Sequence, residues 1–367
     1  MSNTSANTPL HHQGIRKAYI GIGCDQLAPM LAFFLERLRF RVDAIFPADA
    51  PHTALISGYG LNLYLTQGAQ EGPSTLRLLC DDPLAVAGGQ TELTAPNGMT
   101  VRLVHADPPM TVPPTRQALV VTPLNENAYW GVGRAGMRYR DLLPDRHGGA
   151  FIASHIRLLQ GGPVADYVHY HKVRFQLIFC RKGWVRVVYE GQGEPFLLEA
   201  GDCVLQPPLI RHRVLESSAG AEVIEIGAPA QHITMADPDM TLPSPPLPPD
   251  HAFGGQRFVR SRLSEAVWTP WRLAGFEARD TGIAKATDGL ASVRVVRNAS
   301  AAPVANHAQD SEFCFFYVLS GQMLVDLDGA RHELHADDSL TLPAGLPYRI
   351  STTQPLEFLE VLLPAAD

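Results

Sequence analysis

The chain repeats itself, and the repeat limits what it can fold into. The stretch "FQLIFCRKGWVRVVYEG" begins at Phe175, and "FCFFYVLSGQMLVDLDG" begins at Phe313, an offset of 138 residues. The likeness continues on both sides. "AGMRYRD" at Ala135 returns as "AGFEARD" at Ala274, and "GAFIASHIRLL" at Gly149 as "DGLASVRVV" at Asp288. "LEAGDCVLQPPLIRHRV" returns as "LHADDSLTLPAGLPYRI". Each copy is a run of short apolar strands broken by Gly and Pro, the signature of an all-β sandwich or barrel.

Two proline-rich stretches divide the chain, "ADPPMTVPPTR" from Ala106 and "DPDMTLPSPPLPPDH" from Asp237. Proline removes a backbone donor and fixes φ, so such runs read as linkers. Three modules follow, 1–110, 111–240 and 241–367. In the first, the strand "KAYIGIGC" precedes a helix, "DQLAPMLAFFLERLRF", with Asp25 as its expected N-cap. Leu27, Met30, Leu31, Phe34, Leu35 and Leu38 recur at helical spacing and form its apolar face. "HTALISGYG", "LNLYLTQ", "STLRLLC" and "MTVRLVHA" then read as strands, which makes an α+β module of βαβββ type.

The chain has 367 residues, a formal net charge of −7 and no basic face, which argues against nucleic acid as a partner. It has no apolar run of membrane-spanning length, and its start, "MSNTSANTPLHHQG", reads as a polar tail. Cys24, Cys80, Cys180, Cys203 and Cys314 form no C-x-x-C pair, which suggests reduced thiols and a cytoplasmic protein.

His169 and His171 stand one residue apart before an apolar strand. Strand side chains alternate with period two, so both rings face the same way. If a return strand brings His212 to them, three neutral nitrogens around open coordination positions suit a divalent Fe, Ni, Zn or Mn ion. The alternative is three separate core or rim histidines, each with its own hydrogen-bond partner.

The spacing of these residues resembles the two motifs of the cupin superfamily. His169, His171, Gln176 and Gly183 match the first, and Gly201, Pro207 and His212 the second. Three positions depart from the family pattern: Gln176 stands for a glutamate, Leu209 for a glycine and Glu216 for an asparagine. The resemblance implies a mainly β fold of two cupin double-stranded β-helix barrels (jelly rolls), a bicupin, behind the α+β module. It implies metal ligands at His169, His171, His212 and Gln176. Glutamine leaves the metal's full charge uncompensated, which favours an anionic ligand, and Gln176 is also the expected catalytic, substrate-orienting residue. Gln206 and Arg157 are expected to line the lumen and bind substrate, with the guanidinium holding a carboxylate. Cys180 reads as a small buried filler. In the C-terminal copy His307, Gln309, Cys314 and Tyr348 take the ligand positions, a poor set for a metal. Glu312 would join them only if the register slipped by two.

The first module is similar to a half unit of the glyoxalase (vicinal-oxygen-chelate) family, whose ligand positions match Tyr19 and Arg102 here. A guanidinium does not ligate metals, so packing or assembly is the expected role, and a single half unit implies a homodimer. The expected function is a Fe(II)-dependent dioxygenase of a small anionic organic molecule. A non-redox binding or sensing protein and a metal-assisted isomerase or hydrolytic enzyme stand as alternatives, because this fold hosts many chemistries.

Overall fold

The computed structural model describes residues 14–68, 75–94, 100–298, 306–327 and 329–365. The polar tail before Gly14 and the "APNGM" stretch lie outside them. Two compact units emerge: 1–47 with 51–110, and 48–50 with 111–367.

In the first unit the strand Ile15–Cys24 lies between Leu61–Gln67, parallel to it, and Thr75–Cys80, antiparallel. Arg41–Phe46, Thr53–Gly58 and Leu61–Gln67 form a meander. Thr100–His105 pairs with Thr75–Cys80, and Glu92–Thr94 pairs with Thr100–His105. The βαβββ unit is therefore continued by further strands, not left as a lone four-stranded sheet. The helix runs Leu27–Ala32 and passes into a π turn, Phe33–Arg37. Pro29 is tolerated because first-turn N–H groups lack intrahelical partners in any helix. Asp25 does not cap it. Gln26 occupies the N-cap position, and the Leu27 N–H donates to Gln67 Oε1 at 3.1 Å, a partner supplied by the far end of a strand. Leu27, Met30, Leu31, Phe34 and Leu35 pack over Ile45, Ile56 and Leu65, whereas Leu38 closes the helix and is exposed.

The second unit is two jelly rolls of matching topology. The large sheet of the first roll runs in the order Val259–Ser261, Cys203–Leu205, Phe175–Lys182, Ala221–Ala228, Ile152–Leu158, Arg138–Asp141 and Gly131–Val132. That of the second runs Val120–Thr122, Ser339–Thr341, Phe313–Ser320, Glu357–Leu363, Ser292–Asn298, Phe276–Asp280 and Trp268–Pro270. The repeat read in the sequence is thus a repeat of strand order. Each roll takes its outermost strand from the segment that leads into the other. Val120–Thr122 pairs with Ser339–Thr341, and Val259–Ser261 with Cys203–Leu205. Opposite each of these seven-stranded sheets lies a second set of paired strands, built on Trp184–Tyr189 and His212–Ser217 in the first roll and on Gln322–Leu327 and Tyr348–Ser351 in the second. The hairpin glycines Gly183 and Gly321 have φ of +67° and +81°, and a Cβ there would lie 2.2 Å from Ser218 Oγ and 1.8 Å from Pro355 O. Only glycine fits either turn.

The two large sheets share one core. Phe175, Leu177 and Phe179 face Phe313, Phe315 and Tyr317, and Phe151 stacks on Phe313 with centroids 4.2 Å apart. The alternate residues Gln176 and Cys180 are buried on the opposite side, toward the interior of the first roll, as are Cys314, Phe316 and Val318 in the second. Strands buried on both faces are nearly continuous in hydrophobicity, and these are.

Phe313 is fully buried at the centre of the shared core. Phe313→Ala is expected to lower the unfolding free energy by about 3–5 kcal/mol, the range for a phenylalanine deleted from a core. Equilibrium denaturation read by fluorescence checks this, and a loss under about 1 kcal/mol would contradict a shared core.

Candidate metal centre

Two paired strands, His169–His171 and His212–Ser217, bring the three histidines together. His169 and His212 are paired across the ladder, and His171 shares the face of His169. All three are buried, with candidate ligand atoms within 4.8 Å of one another. The ring centroids of His169 and His212 are 4.2 Å apart, and that of His171 is 5.1 Å from each.

The other side of each ring is anchored. His169 Nδ1 donates to Tyr167 O at 2.8 Å, and His212 Nδ1 donates to Ile210 O at 3.0 Å. A carbonyl only accepts, so the proton sits on Nδ1 and the Nε2 lone pair is left free. His171 Nδ1 lies 3.0 Å from Thr234 Oγ1. His169 Nε2 is buried without a hydrogen-bond partner, which buried polar atoms rarely are. The orphaned Nε2 of His169, beside two further rings and with all three Nδ1 atoms held by outer partners, is what a bound divalent ion requires, so the residues present fit such an ion. Gln206 Nε2 donates to His212 Nε2 at 2.8 Å and would have to withdraw for that lone pair to bind a metal.

Burial sets the charge state. It holds His169 and His171 well below the ordinary imidazole range, assisted by the positive charge of Arg134 and by the neighbouring rings. His212 is pushed down to about 4, again mainly by burial. Neutral rings are the ligating form.

Several residues of the site carried no clear signal in the sequence. Asp166 forms a buried ion pair with Arg134, lies 3.6 Å from His169 Nδ1 and accepts the Val214 N–H at 2.9 Å. It backs the ligand ring with a carboxylate, and its three-residue distance from His169 was the available hint. His232 is buried edge-on to His171, with centroids 5.3 Å apart. Glu225 accepts from Gln176 Nε2 at 2.6 Å, and both residues line the cavity beside His171 and His212. Its signal was an acidic residue inside an apolar strand, "AEVIEIGA". The glutamate that the family motif places at 176 is thus absent, but a carboxyl group lies one strand away and reduces the charge that Gln176 leaves uncompensated. Gln206 lines the same cavity.

Arg157 does not. Ile156 and Leu158 face the cavity, while Arg157 stacks on Trp130 at 4.0 Å and lies 3.4 Å from Glu222. His155 points to the same outer side and meets Glu222 Oε2 at 2.6 Å. The expected carboxylate-binding role of Arg157 is therefore corrected. Strand alternation puts Arg157 with His155 on the face turned away from the cavity. Cys180 is fully buried, and burial pushes its thiol up to about 12, in keeping with a filler. Leu209 keeps the left-handed φ of 68° where the family has glycine, so the turn before His212 survives the substitution.

In the second roll His307 is bridged to Tyr348 as His169 is to His212. Gln309 spends its amide on Leu342 O and the Ser311 N–H, and Tyr348 OH accepts from Arg272 at 3.3 Å. The register sets Cys314 at the position of Gln176. Glu312 lies elsewhere, bonded to Thr115 and 3.0 Å from Arg174, so no slip brings it in. In the first unit Tyr19 is buried beneath Lys17, and Arg102 pairs with Glu92 at 3.1 Å.

The depressed histidines make stability depend on pH. Below pH 6.5 the unfolded chain takes up protons that the buried rings refuse, so stability is full above about 6.5 and falls toward pH 4. His212 alone accounts for on the order of 3 kcal/mol across that window. Urea unfolding of metal-free protein at pH 7.5, 6 and 5 checks the sign, and a flat profile would contradict neutral buried rings.

Residues 293–362 match the cupin domain family. No curated protein matches the sequence. Among solved structures the chain is similar to the oxalate decarboxylase of Lactobacillus farciminis in its formate complex, with a TM-score of 0.50 and 15% identity over 71% of this chain and 90% of that one. A Bacillus subtilis oxalate decarboxylase variant gives 0.49 and 14% over 71% and 80%. A salicylate 1,2-dioxygenase variant from Pseudoaminobacter salicylatoxidans gives 0.46 and 15% over 58% and 70%. At these identities the likeness is one of fold. Residues 293–362 match the cupin domain family, and the tandem jelly rolls of this chain are similar in fold to that oxalate decarboxylase.

Proposed function

We propose that the first roll holds one divalent metal ion through His169, His171 and His212, and that the protein is a non-haem Fe(II) dioxygenase of a small oxygen-bearing, anionic organic molecule. The observation that carries the metal reading is the buried, unpartnered Nε2 of His169 within a cluster of three anchored rings. When bound, the ion would supply open coordination positions for substrate and dioxygen. The chain does the rest. The three Nδ1 anchors hold the ligand rings in place. Gln176, fixed by Glu225, orients a bound polar group, and Gln206 hydrogen-bonds beside it. The buried Arg134–Asp166 pair adds a fixed dipole next to His169. Ile156, Leu158, Ile178, Val187 and Val223 supply an apolar part of the cavity wall.

Glu225 supports a second reading. A carboxyl group lining the cavity at the metal centre can carry a proton, which suits a metal-assisted isomerase or hydrolytic enzyme. Oxygen uptake that depends on both substrate and iron supports the dioxygenase. Turnover that persists without oxygen overturns it in favour of proton-transfer chemistry.

Plasma emission on the purified protein is expected to find one metal ion per chain, bound in the first roll only. His212→Ala is expected to lower the bound metal about tenfold or more, since losing a ligand costs at least as much as losing an outer partner. Unchanged metal content in that variant, or anomalous scattering beside His307, would refute the assignment.

A further inference from the structure

The two rolls can be compared position by position, because their ladders run in the same register. Ile178 is opposite Glu225, as Phe316 is opposite Glu360. Val223 is opposite Cys180, as Phe358 is opposite Val318. Met137 stands two residues before Tyr139, which pairs with Ile156. Phe276 stands two before Ala278, which pairs with Val296. At three equivalent places the second roll therefore has phenylalanine where the first has Ile, Val and Met.

In the second roll those rings fill the interior. Phe316 and Phe276 both contact Phe358, at centroid distances of 5.4 and 6.4 Å, with Trp271 and Tyr348 packed around them. In the first roll the smaller side chains leave a cavity of about 70 Å³. Met137, Ile156, Leu158, Ile178, Val187 and Val223 line it, and so do His171 and His212. Arg134, Gln176, Gln206 and Glu225 line it as well, so one cavity offers aliphatic wall to an apolar group and polar side chains to a head group.

We propose that the substrate of the first roll joins a metal-binding polar head to a short aliphatic group, and that this group occupies the chamber made by Met137, Ile178 and Val223. The inference rests on the metal reading of the three histidines and adds the other half of the molecule. A cavity of this size takes a short chain and not a long one. The second roll, where Phe276, Phe316 and Phe358 occupy the equivalent volume, cannot accept the same group.

The test uses the full-length, cobalt-loaded protein and a series of aliphatic hydroxamates, each with the same chelating head. Calorimetric affinity is expected to rise about fourfold per methylene from acetohydroxamate to butanohydroxamate, as burial of each CH2 predicts, and to stop rising by hexanohydroxamate. Ile178→Phe and Val223→Phe, which copy the second roll, are expected to retain bound metal and abolish the chain-length gain. Equal affinity along the series in the unaltered protein would overturn the proposal. Failure of acetohydroxamate itself to bind would count against the metal reading instead. The chamber is then decided by xenon, which needs no metal: xenon between Ile178 and Val223 in a pressurised crystal supports it, and xenon absent there overturns it.

Discussion

Everything in the second unit depends on the packing of one large sheet on the other. Phe151, Phe175, Leu177 and Phe179 lock against Phe313, Phe315 and Tyr317, and this contact fixes which residues of each central strand face the partner sheet. The remainder are turned into their own roll. Gln176 and Ile178 owe their place beside the histidines to that division, not to any local preference. A shift of one residue in Phe175–Lys182 would turn Phe175 and Leu177 into the cavity and Gln176 into the aromatic core. The apolar contact between rolls thus determines the polar geometry within one of them.

What could be read from the sequence, and what could not, follows from the same fact. The repeat, the hairpin glycines and the H-x-H pair were legible because each is set by local geometry: strand alternation, a positive φ, the spacing of a motif. The outer partners of the ligands were not, since Asp166, Thr234 and Tyr167 act through contacts that only the folded sheet creates. Arg157 shows the limit most clearly. Alternation assigns residues to two sets, Ile152, Ser154, Ile156 and Leu158 against Ala153, His155 and Arg157, but the strand is buried on both faces along nearly its whole length, so alternation alone does not say which set faces the lumen. Asp25 failed as a cap for a related reason. A side chain distant in sequence, Gln67, satisfied the helix start instead.

The two rolls treat one topological position in opposite ways. Where the first gathers three neutral rings whose ligand atoms lie close together, the second brings its own cation. Arg272 forms a buried ion pair with Glu360, the counterpart of Glu225, and hydrogen-bonds Tyr348, the counterpart of His212. Burial opposes the charge of that guanidinium, but Glu360 outweighs it and holds the pKa of Arg272 above its usual value. A buried pair of this kind is costly to break and of small net value to keep. It does, however, give the second roll a fixed positive charge at that position.

The exchanged outer strands carry a further implication for how such a molecule can be divided. Val120–Thr122 precedes the first roll in sequence yet completes the sheet of the second, and Val259–Ser261 does the converse. A cut in the proline-rich stretch near residue 240 would give two fragments, each missing an edge strand that the other holds. Those fragments are complementary parts, like the halves of a clasp, and should regain their full sheets only by reassociating. The two copies are joined so that each finishes the other's sheet.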